Sequence, residues 1–469
     1  MPRSSSLASV FLDIAEQSEE LARPEPDSPF HILIAGDFSG GAGKKRAPVM
    51  VDRDNFDDVL ARIAPELRLP IGESEITLKF RELDDFHPDR LFERLGPFRA
   101  LRDLRRRLAD RSTFAAAAAE IAPPPVASAP QPGNAPANIS GGDLLRSMMG
   151  EEAQPAAATA PPAQSDWDRM LREMVAPYAE ANPDSRQPEL LAQPAAAISG
   201  QMRALLHARR FQALESAWRG LFFLIRRLDT SEDLKVYILD MPQSELVTGP
   251  GLAELRRIVV DQAVRTPGAQ PWAAIAGLYA FGARDEAALI EIGEVARAAD
   301  APFLSGLAPD VVGLTRAFAA LRHSPAARWI GLALPRFLLR LPYGAATDST
   351  ETFQFEEMPS PPEHESYLWA NPAIACAYLL GEAFAREGWR MRAGSVLDID
   401  GLPLHLYKKS DGESAIKPCA EVLLTEDSVE LLVECGFMPL VSFMETDRVR
   451  LARFQSVAEP NAPLAGRWS

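Results

Sequence analysis

The run LKVYILDM at residues 234–241 decides the fold when it is taken with the segments after it. It is an apolar stretch of strand length with acidic residues before it. GLAELRRIVVDQAV (251–264) then takes helical spacing, and PWAAIAGLYAF (271–281) returns to a buried strand. EAALIEIGEVARAAD (286–300) is an acidic helix, and PFLSGL (302–307) is another strand. Strands alternating with helices argue for a mostly parallel sheet covered by helices on both faces. Upstream, Leu214, Trp218, Leu221, Ile225 and Leu228 recur at the spacing of one long amphipathic helix. Downstream, Asp400-Gly401 lies between apolar segments and reads as a hairpin turn. Thr425 is placed to cap EDSVELLVE, and Gly436 to stop it. The tail after Glu459 is expected to fray.

A second ordered block precedes this one. FHILIAGDF (30–38) reads as a buried strand. Val51 to Phe56 opens a helix, with aspartates at its positive end. Ile76, Leu78 and Phe80 alternate with Thr77, Lys79 and Arg81, the period of a half-buried strand. Pro88 suits the first turn of a helix, and Leu101, Leu104 and Leu108 continue one face of the next. The order strand, helix, strand, helix predicts a small α/β unit over 28–112. Between the blocks, 113–165 is rich in proline and alanine and short of large apolar residues. Such a stretch buries too little to fold and reads as a semi-extended linker spanning at least roughly 40 Å. DLLRSMM (143–149) is an amphipathic island within it. The expected division is a flexible 1–27, a small unit 28–112, a linker 113–165, a larger domain 166–459 and a tail 460–469.

Composition narrows the function. The 469 residues carry a formal charge of −16, so the long-range field repels nucleic acid and anionic lipid. No run approaches the roughly 18 apolar residues of a membrane span, and the N-terminus lacks the pattern of a signal peptide. The expectation is a cytoplasmic protein with no nucleic-acid partner and no membrane insertion. Cys376, Cys419 and Cys435 are spaced neither as a metal site nor as a disulfide framework, which fits reduced, space-filling thiols.

Motifs for chemistry are weak. GDFSGGAGKKR (36–46) departs from the phosphate-loop pattern, since Phe38 takes the first glycine position and Lys45 follows Gly43-Lys44. Asp84 and Asp85 precede a helix and are placed to cap it rather than to act as an acid–base pair. Asp398 and Asp400 resemble a fragment of a calcium loop without its other ligands, and a turn is the simpler reading. The six histidines are scattered singly, and Ser39 lacks a nucleophile elbow. No catalytic residue, cofactor site or metal site is expected. Arg336 and Arg340 share one face of a helix, or of a strand; they are read either as contacts to an acidic neighbour or as internal ion pairs. Trp218, Trp369 and Tyr343 are read as packing residues.

Two longer resemblances stand beside these readings. ALLHARRFQALESAWRGLFFLI (204–225), RWIGLALPRFLLRLPYG (328–344), YLWANPAIACA (367–377) and CGFMPLVSF (435–443) resemble the large sheath subunit of the type VI secretion apparatus, the TssC family. VDRDNFDDVLARIAPEL (51–67) and ITLKFRELDDFHPDRLFERL (76–95) are similar to the small sheath subunit, TssB. The motif positions are Asp84, Asp85, Phe86, Trp218, Arg219, Gly220, Arg336, Arg340, Pro342, Tyr343, Gly344, Trp369 and Asn371. They are candidate interface residues. The resemblance implies an α/β fusion: a small α/β unit and a larger α/β sheath domain with a mostly parallel or mixed sheet flanked by helices.

The resemblance also implies a mechanical role. TssB and TssC pair, stack as rings into a contractile tube around Hcp, and are dismantled by the unfoldase ClpV. The expected partners are therefore other sheath subunits, with Hcp, the baseplate and a ClpV-type unfoldase as further ones. In the family, large subunits run on past the position of Phe443 into strands exchanged between neighbours. Here the sequence stops at Ser469, so those strands are expected to be missing. MLREMVAPYAEA (170–181) is a poor match to the helix that the unfoldase grips. A subunit that terminates, nucleates or adapts the sheath to its baseplate is the alternative expectation; an α/β enzyme is the remote one.

Overall fold

A computed structural model describes residues 28–41, 47–71, 74–121, 187–311 and 317–468. The expectations for 1–27, for DLLRSMM, for MLREMVAPYAEA and for Lys44 and Lys45 lie outside the described residues. The chain forms two compact units: one joins residues up to Gly96 with Ser199–Ser469, and the other is Pro97–Ile198.

The first unit is built on strands β1 (Phe30–Gly36), β2 (Val49–Val51), β3 (Glu66–Ile71), β4 (Ser74–Lys79), β5 (Leu234–Asp240), β6 (Trp272–Phe281), β7 (Phe303–Leu307), β8 (Ile330–Leu334), β9 (Phe337–Leu338), β10 (Trp369–Ala370), β11 (Asp398–Ile399), β12 (His405–Lys408), β13 (Ser414–Lys417), β14 (Met438–Ser442) and β15 (Val449–Leu451). Nine of them form one sheet in the order β11-β15-β14-β8-β7-β6-β1-β5-β2. The run from β14 to β5 is parallel; β2 at one edge is antiparallel to β5, and toward the other edge β15 is antiparallel to both β14 and β11. The longer helices of both units, in chain order, are α1 (Phe56–Ile63), α2 (Pro88–Arg94), α3 (Gly96–Ala109), α4 (Phe114–Ile121), α5 (Gln187–Leu206), α6 (Arg209–Arg227), α7 (Gly249–Arg256), α8 (Glu286–Ala299), α9 (Pro372–Glu387) and α10 (Glu426–Glu434); α3, from Pro97 onward, and α4 belong to the second unit. The architecture is α/β, as the alternation in 234–307 requires.

The decisive strand comes from the leading block. β1 pairs in parallel with β5 from Phe30↔Leu234 to Gly36↔Asp240, and with β6 from His31↔Trp272 to Ala35↔Gly277. The small α/β unit expected over 28–112 therefore lends its first strand to the interior of the larger sheet, third from the β2 edge. The reason is legible in the strand itself. FHILIAG is buried at every position. A strand apolar on both faces needs helices above and below and a partner on each edge. Leu33 and Ala35 join the core containing Leu239, Ile275, Leu289 and Ile292 of the trailing block. Burying Phe30, Ile32, Leu33 and Ile34 contributes on the order of 10 kcal/mol, an upper figure because unfolded chains already bury some surface.

Three local expectations are corrected. Gly401 does turn the chain, with φ +68. Yet β11, just before it, pairs with β15, while the hairpin nearby is β12 with β13. Arg227 donates to the carbonyls of Asp400 and Gly401, so this turn is fixed by α6 and not by a facing strand. The tail past Glu459 does not fray: Leu464 is buried, the Ala465 amide donates to the Arg328 carbonyl at 2.8 Å, and the Trp468 ring lies 6.2 Å from Phe30. Asn461 donating to the Val433 carbonyl and Arg467 lying over the Trp389 ring hold it down further. Helical structure also runs into the stretch read as linker, because FAAAAAEI is alanine-rich and forms α4.

Within the second unit, Leu108, Ala117, Ala118 and Leu190 make a small apolar cluster. Arg107 makes a two-pronged bond to Glu120 at 2.6 and 2.7 Å. Gln187 donates to the Leu108 carbonyl at 3.0 Å.

Candidate functional site

A set of specific contacts joins the described part of residues 28–95 to the trailing block, centred on α6. Trp218 lies at its middle, fully buried, and donates its indole N–H to the Phe38 carbonyl at 3.0 Å. Phe38 and Phe56 meet its ring edge-on at 5.3 and 5.8 Å. Arg53 closes the end of the same helix, donating to the carbonyls of Ile225, Arg226 and Leu228. A cation there satisfies carbonyls that the helix leaves unpaired and faces the negative end of its dipole. Gly220 lets α9 approach, since a Cβ on it would sit 3.3 Å from Ile374. On the other side of β1, the Asp240 carboxylate accepts from the amides of Phe38 and Ser39 at 2.9 and 3.1 Å.

Next to Trp218 on α6 is a buried ionic cluster. Arg340 donates to Glu215 at 2.9 Å and to both oxygens of Glu357 at 2.8 and 3.1 Å. Arg219 donates to Glu215 at 2.7 Å and to the Tyr343 hydroxyl at 3.0 Å. The Tyr343 amide donates to Glu357 at 2.8 Å, and Arg340 lies 4.2 Å from the centre of the Tyr343 ring. Burial alone would raise the Glu357 carboxyl; Arg340, His207 and the Tyr343 amide overcome it and bring the pKa down to about 2. Burial pushes the Tyr343 phenol up to about 12, against the pull of Arg219 and Arg340. Burial opposes the Arg340 charge, but the two glutamates hold its pKa well above the usual guanidinium value. These groups bond one another, which is what buried charge requires. The tyrosine is held protonated and the Glu357 carboxylate held ionised, a set suited to fixing geometry and not to moving protons.

The leading block enters this cluster through its aspartate motif. Asp85 is buried and accepts from the Arg81 and Glu82 amides at 2.7 and 3.3 Å, with Arg94 beside its other oxygen. Asp84 is exposed in the same short turn, and its carbonyl accepts from the His87 amide. Phe86 stacks on Phe80 at 4.0 Å and meets Phe211 of α6 at 5.7 Å. His87 caps α2 and places its ring 4.9 Å from Tyr343. Asp89 accepts from the amides of Glu351 and Thr352 at 2.9 and 3.0 Å, gripping the loop that follows Tyr343.

The remaining motif residues serve backbone geometry. Arg336 lies next to β9, not on a helix, and donates to Glu421. Both Arg336 and Arg340 are thus engaged in internal ion pairs. The Pro342 carbonyl accepts from Thr347, and a Cβ on Gly344 would run into the Glu356 carboxylate. The Trp369 carbonyl accepts from Ser216 at 2.7 Å, and its indole N–H reaches the His364 carbonyl. Asn371 caps α9 and donates to the Tyr279 carbonyl at 2.7 Å. Glu215, Glu357, Asp89 and Arg53 were not singled out from the sequence. One signal was present: Phe353, Phe355 and Glu357 alternate and are all buried, so Glu357 shared an inward face with two phenylalanines.

A groove of about 560 Å³ opens at the carboxyl ends of β1, β5 and β6, bordered by Asp37, Gln243, Tyr279, Arg209, Trp369 and Asn371. Crevices there hold ligands in many open α/β sheets. Here Gln243 is bonded both ways to Ala280, and Asn371 to Tyr279, so much of the polar lining is committed to backbone. Among the described residues no cluster of three or more His, Cys, Asp or Glu is arranged for a metal, and no helix is long and apolar enough to cross a membrane.

Fold and site together define an α/β module whose charged centre is knitted inward. The tail-sheath N-terminal domain family EvpB/VC_A0108 (VipB) matches residues 189–319 and 315–458, and the chain belongs to that family. Residues 16–120 match a second family, type VI secretion system VipA, VC_A0107 or Hcp2. Over 298 residues the chain is 32% identical to the type VI secretion system sheath protein TssC1 of Pseudomonas aeruginosa. That match takes in 56% of this chain and 60% of TssC1, so the chain spans about three-fifths of the length of this curated relative.

Proposed function

We propose that this chain is a structural component of a type VI secretion contractile sheath, with small-subunit and large-subunit parts on one polypeptide. The observation that carries the reading is the seating of β1, from the VipA-matching segment, between β5 and β6 of the trailing segment. Its work is mechanical and proceeds through contacts with other sheath subunits. On this reading it is not an enzyme, it works in the cytoplasm, and the Hcp tube, the baseplate and a ClpV-type unfoldase are the partners its assembly would meet. Residues 28–112 act as the small-subunit part and 166–459 as the large one, joined by 113–165. The motif residues from Asp84 to Asn371 serve by holding the two parts in one geometry. Electron microscopy of the purified chain, alone and mixed with sheath subunits, is the direct test, supported by affinity capture and mass spectrometry. Sheath-like particles or co-assembly support the reading. A monodisperse chain that joins no sheath and captures no sheath protein removes it.

A further inference from the structure

The slot between β5 and β6 is filled along both edges. β1 is hydrogen-bonded to β5 over seven residue pairs, and to β6 on the other side. Its ends are pinned as well. The Trp389 indole donates to the Ser28 carbonyl at 2.6 Å, the Met241 amide to Gly36 at 2.8 Å, and Trp218 to Phe38. Phe30 is stacked on Phe384 at 4.6 Å and tilted against Trp389 at 5.2 Å.

From this, and resting on the sheath reading above, we infer that the chain is self-paired. Its own residues 28–96 occupy the surface that a separate VipA-family subunit would use, so it takes no such partner and enters an assembly as a complete pair. A rival strand can enter only after β1 leaves. That departure breaks two ladders inside the sheet and exposes four large apolar side chains, which makes it a sub-global opening and not a fraying event. Linkage on one chain adds a concentration term. A tether that can span its sites gives an effective concentration near ~mM, so a free subunit at ~1 μM is disfavoured by about a thousandfold.

The test uses the full chain, a purified VipA-family subunit carrying a fluorophore, and a VipB-family large subunit as the positive control. At ~1 μM the labelled subunit is expected to bind the control and not the full chain. Amide hydrogen exchange at residues 30–36 is expected to stay slow whether or not the labelled subunit is present. One-to-one binding with faster exchange at 30–36 overturns the inference by displacement. Binding with 30–36 still protected overturns it too, by showing another surface for such a partner. A second form of the full chain carries a protease site between 122 and 186. After cleavage the leading piece is expected to stay attached through size exclusion, and its release overturns the inference. Failure to join a sheath while these results hold removes the sheath reading and leaves the self-pairing intact.

Discussion

Trp218 and Phe38 are 180 positions apart, yet the indole N–H of the first donates to the carbonyl of the second at 3.0 Å inside a wholly buried contact. The bond ties the middle of α6 to the residue just beyond β1. Around it Phe56 and Arg53 repeat the same connection with different chemistry. The leading and trailing segments therefore share one core within this unit.

Trp218→Phe keeps most of the ring volume and deletes the donor, leaving the Phe38 carbonyl unpaired. Stability is expected to fall by about 1–3 kcal/mol. Trp218→Ala adds a cavity and is expected to lose about 3–5 kcal/mol. Urea denaturation of both variants checks this; equal midpoints for Trp218→Phe and the parent would show that the bond contributes nothing net.

The ionic cluster predicts a larger asymmetry. Arg340→Met takes from Glu357 its bidentate cation and leaves Glu215 with Arg219 alone, and is expected to destabilise by about 3–5 kcal/mol. A cycle with Glu357→Gln should show coupling well above 1 kcal/mol, because the two groups touch directly. Additive losses in that cycle would mean that the pair acts independently.

The same cluster fixes an acid limb. Glu357 titrates near 2 in the fold against an ordinary value of 4.5, so its contribution is complete above about 4.5 and is lost as pH falls toward 2. His31 adds a second limb at milder pH. Burial first, then Lys235 and Arg467, lower its pKa from 6.5 to about 4, so the unfolded chain binds the proton first. Its contribution is present above 6.5 and lost as pH falls from 6.5 to 4. His31 sits on β1, facing Tyr237 and Trp272. Thermal melts of His31→Phe across that window are expected to show a flatter profile than the parent, and parallel profiles would rule the histidine out as the cause.

Much of this was legible in one dimension. β1, β5, β6 and β7 announce themselves as apolar runs, and α6 by the spacing of Leu214, Trp218 and Leu221. Thr425 caps α10 as its position suggests, and Gly436 follows with φ +83. The seating of β1 was hidden, because an apolar run shows that a strand is buried and not which strands flank it. Glu215 was hidden for a different reason. An acid four residues before Arg219 reads as a surface pair on a helix, and only Arg340, far along the chain, makes it an interior one. Asp400-Gly401 misled because a turn dipeptide reports the bend and not the strand that pairs afterwards.

Gly220 tests how closely α6 and α9 are packed. A Cβ there lies 3.3 Å from Ile374, a distance that a small side-chain shift can relieve. Gly220→Ala is expected to change stability by less than about 1 kcal/mol, since helix propensity gains roughly what crowding loses. Gly220→Leu overfills the contact and is expected to lose about 1–3 kcal/mol. Matching denaturation curves for the leucine variant and the parent would show that the helices part without penalty.

Asp89 offers a test that separates local from global effects. Its carboxylate takes the amides of Glu351 and Thr352 and the Thr352 hydroxyl, linking the start of α2 to the loop between Tyr343 and Glu357. Burial would raise its pKa, but these donors outweigh it and hold the carboxyl below the ordinary range. Asp89→Ala removes all three acceptor contacts while leaving the core phenylalanines in place. The amides of 351 and 352 should then exchange with solvent at least tenfold faster, while those of β1 are unchanged. Unaltered exchange at 351 and 352 would place the hold on this loop elsewhere, with Phe92 stacked on Phe353 at 4.5 Å as the next candidate.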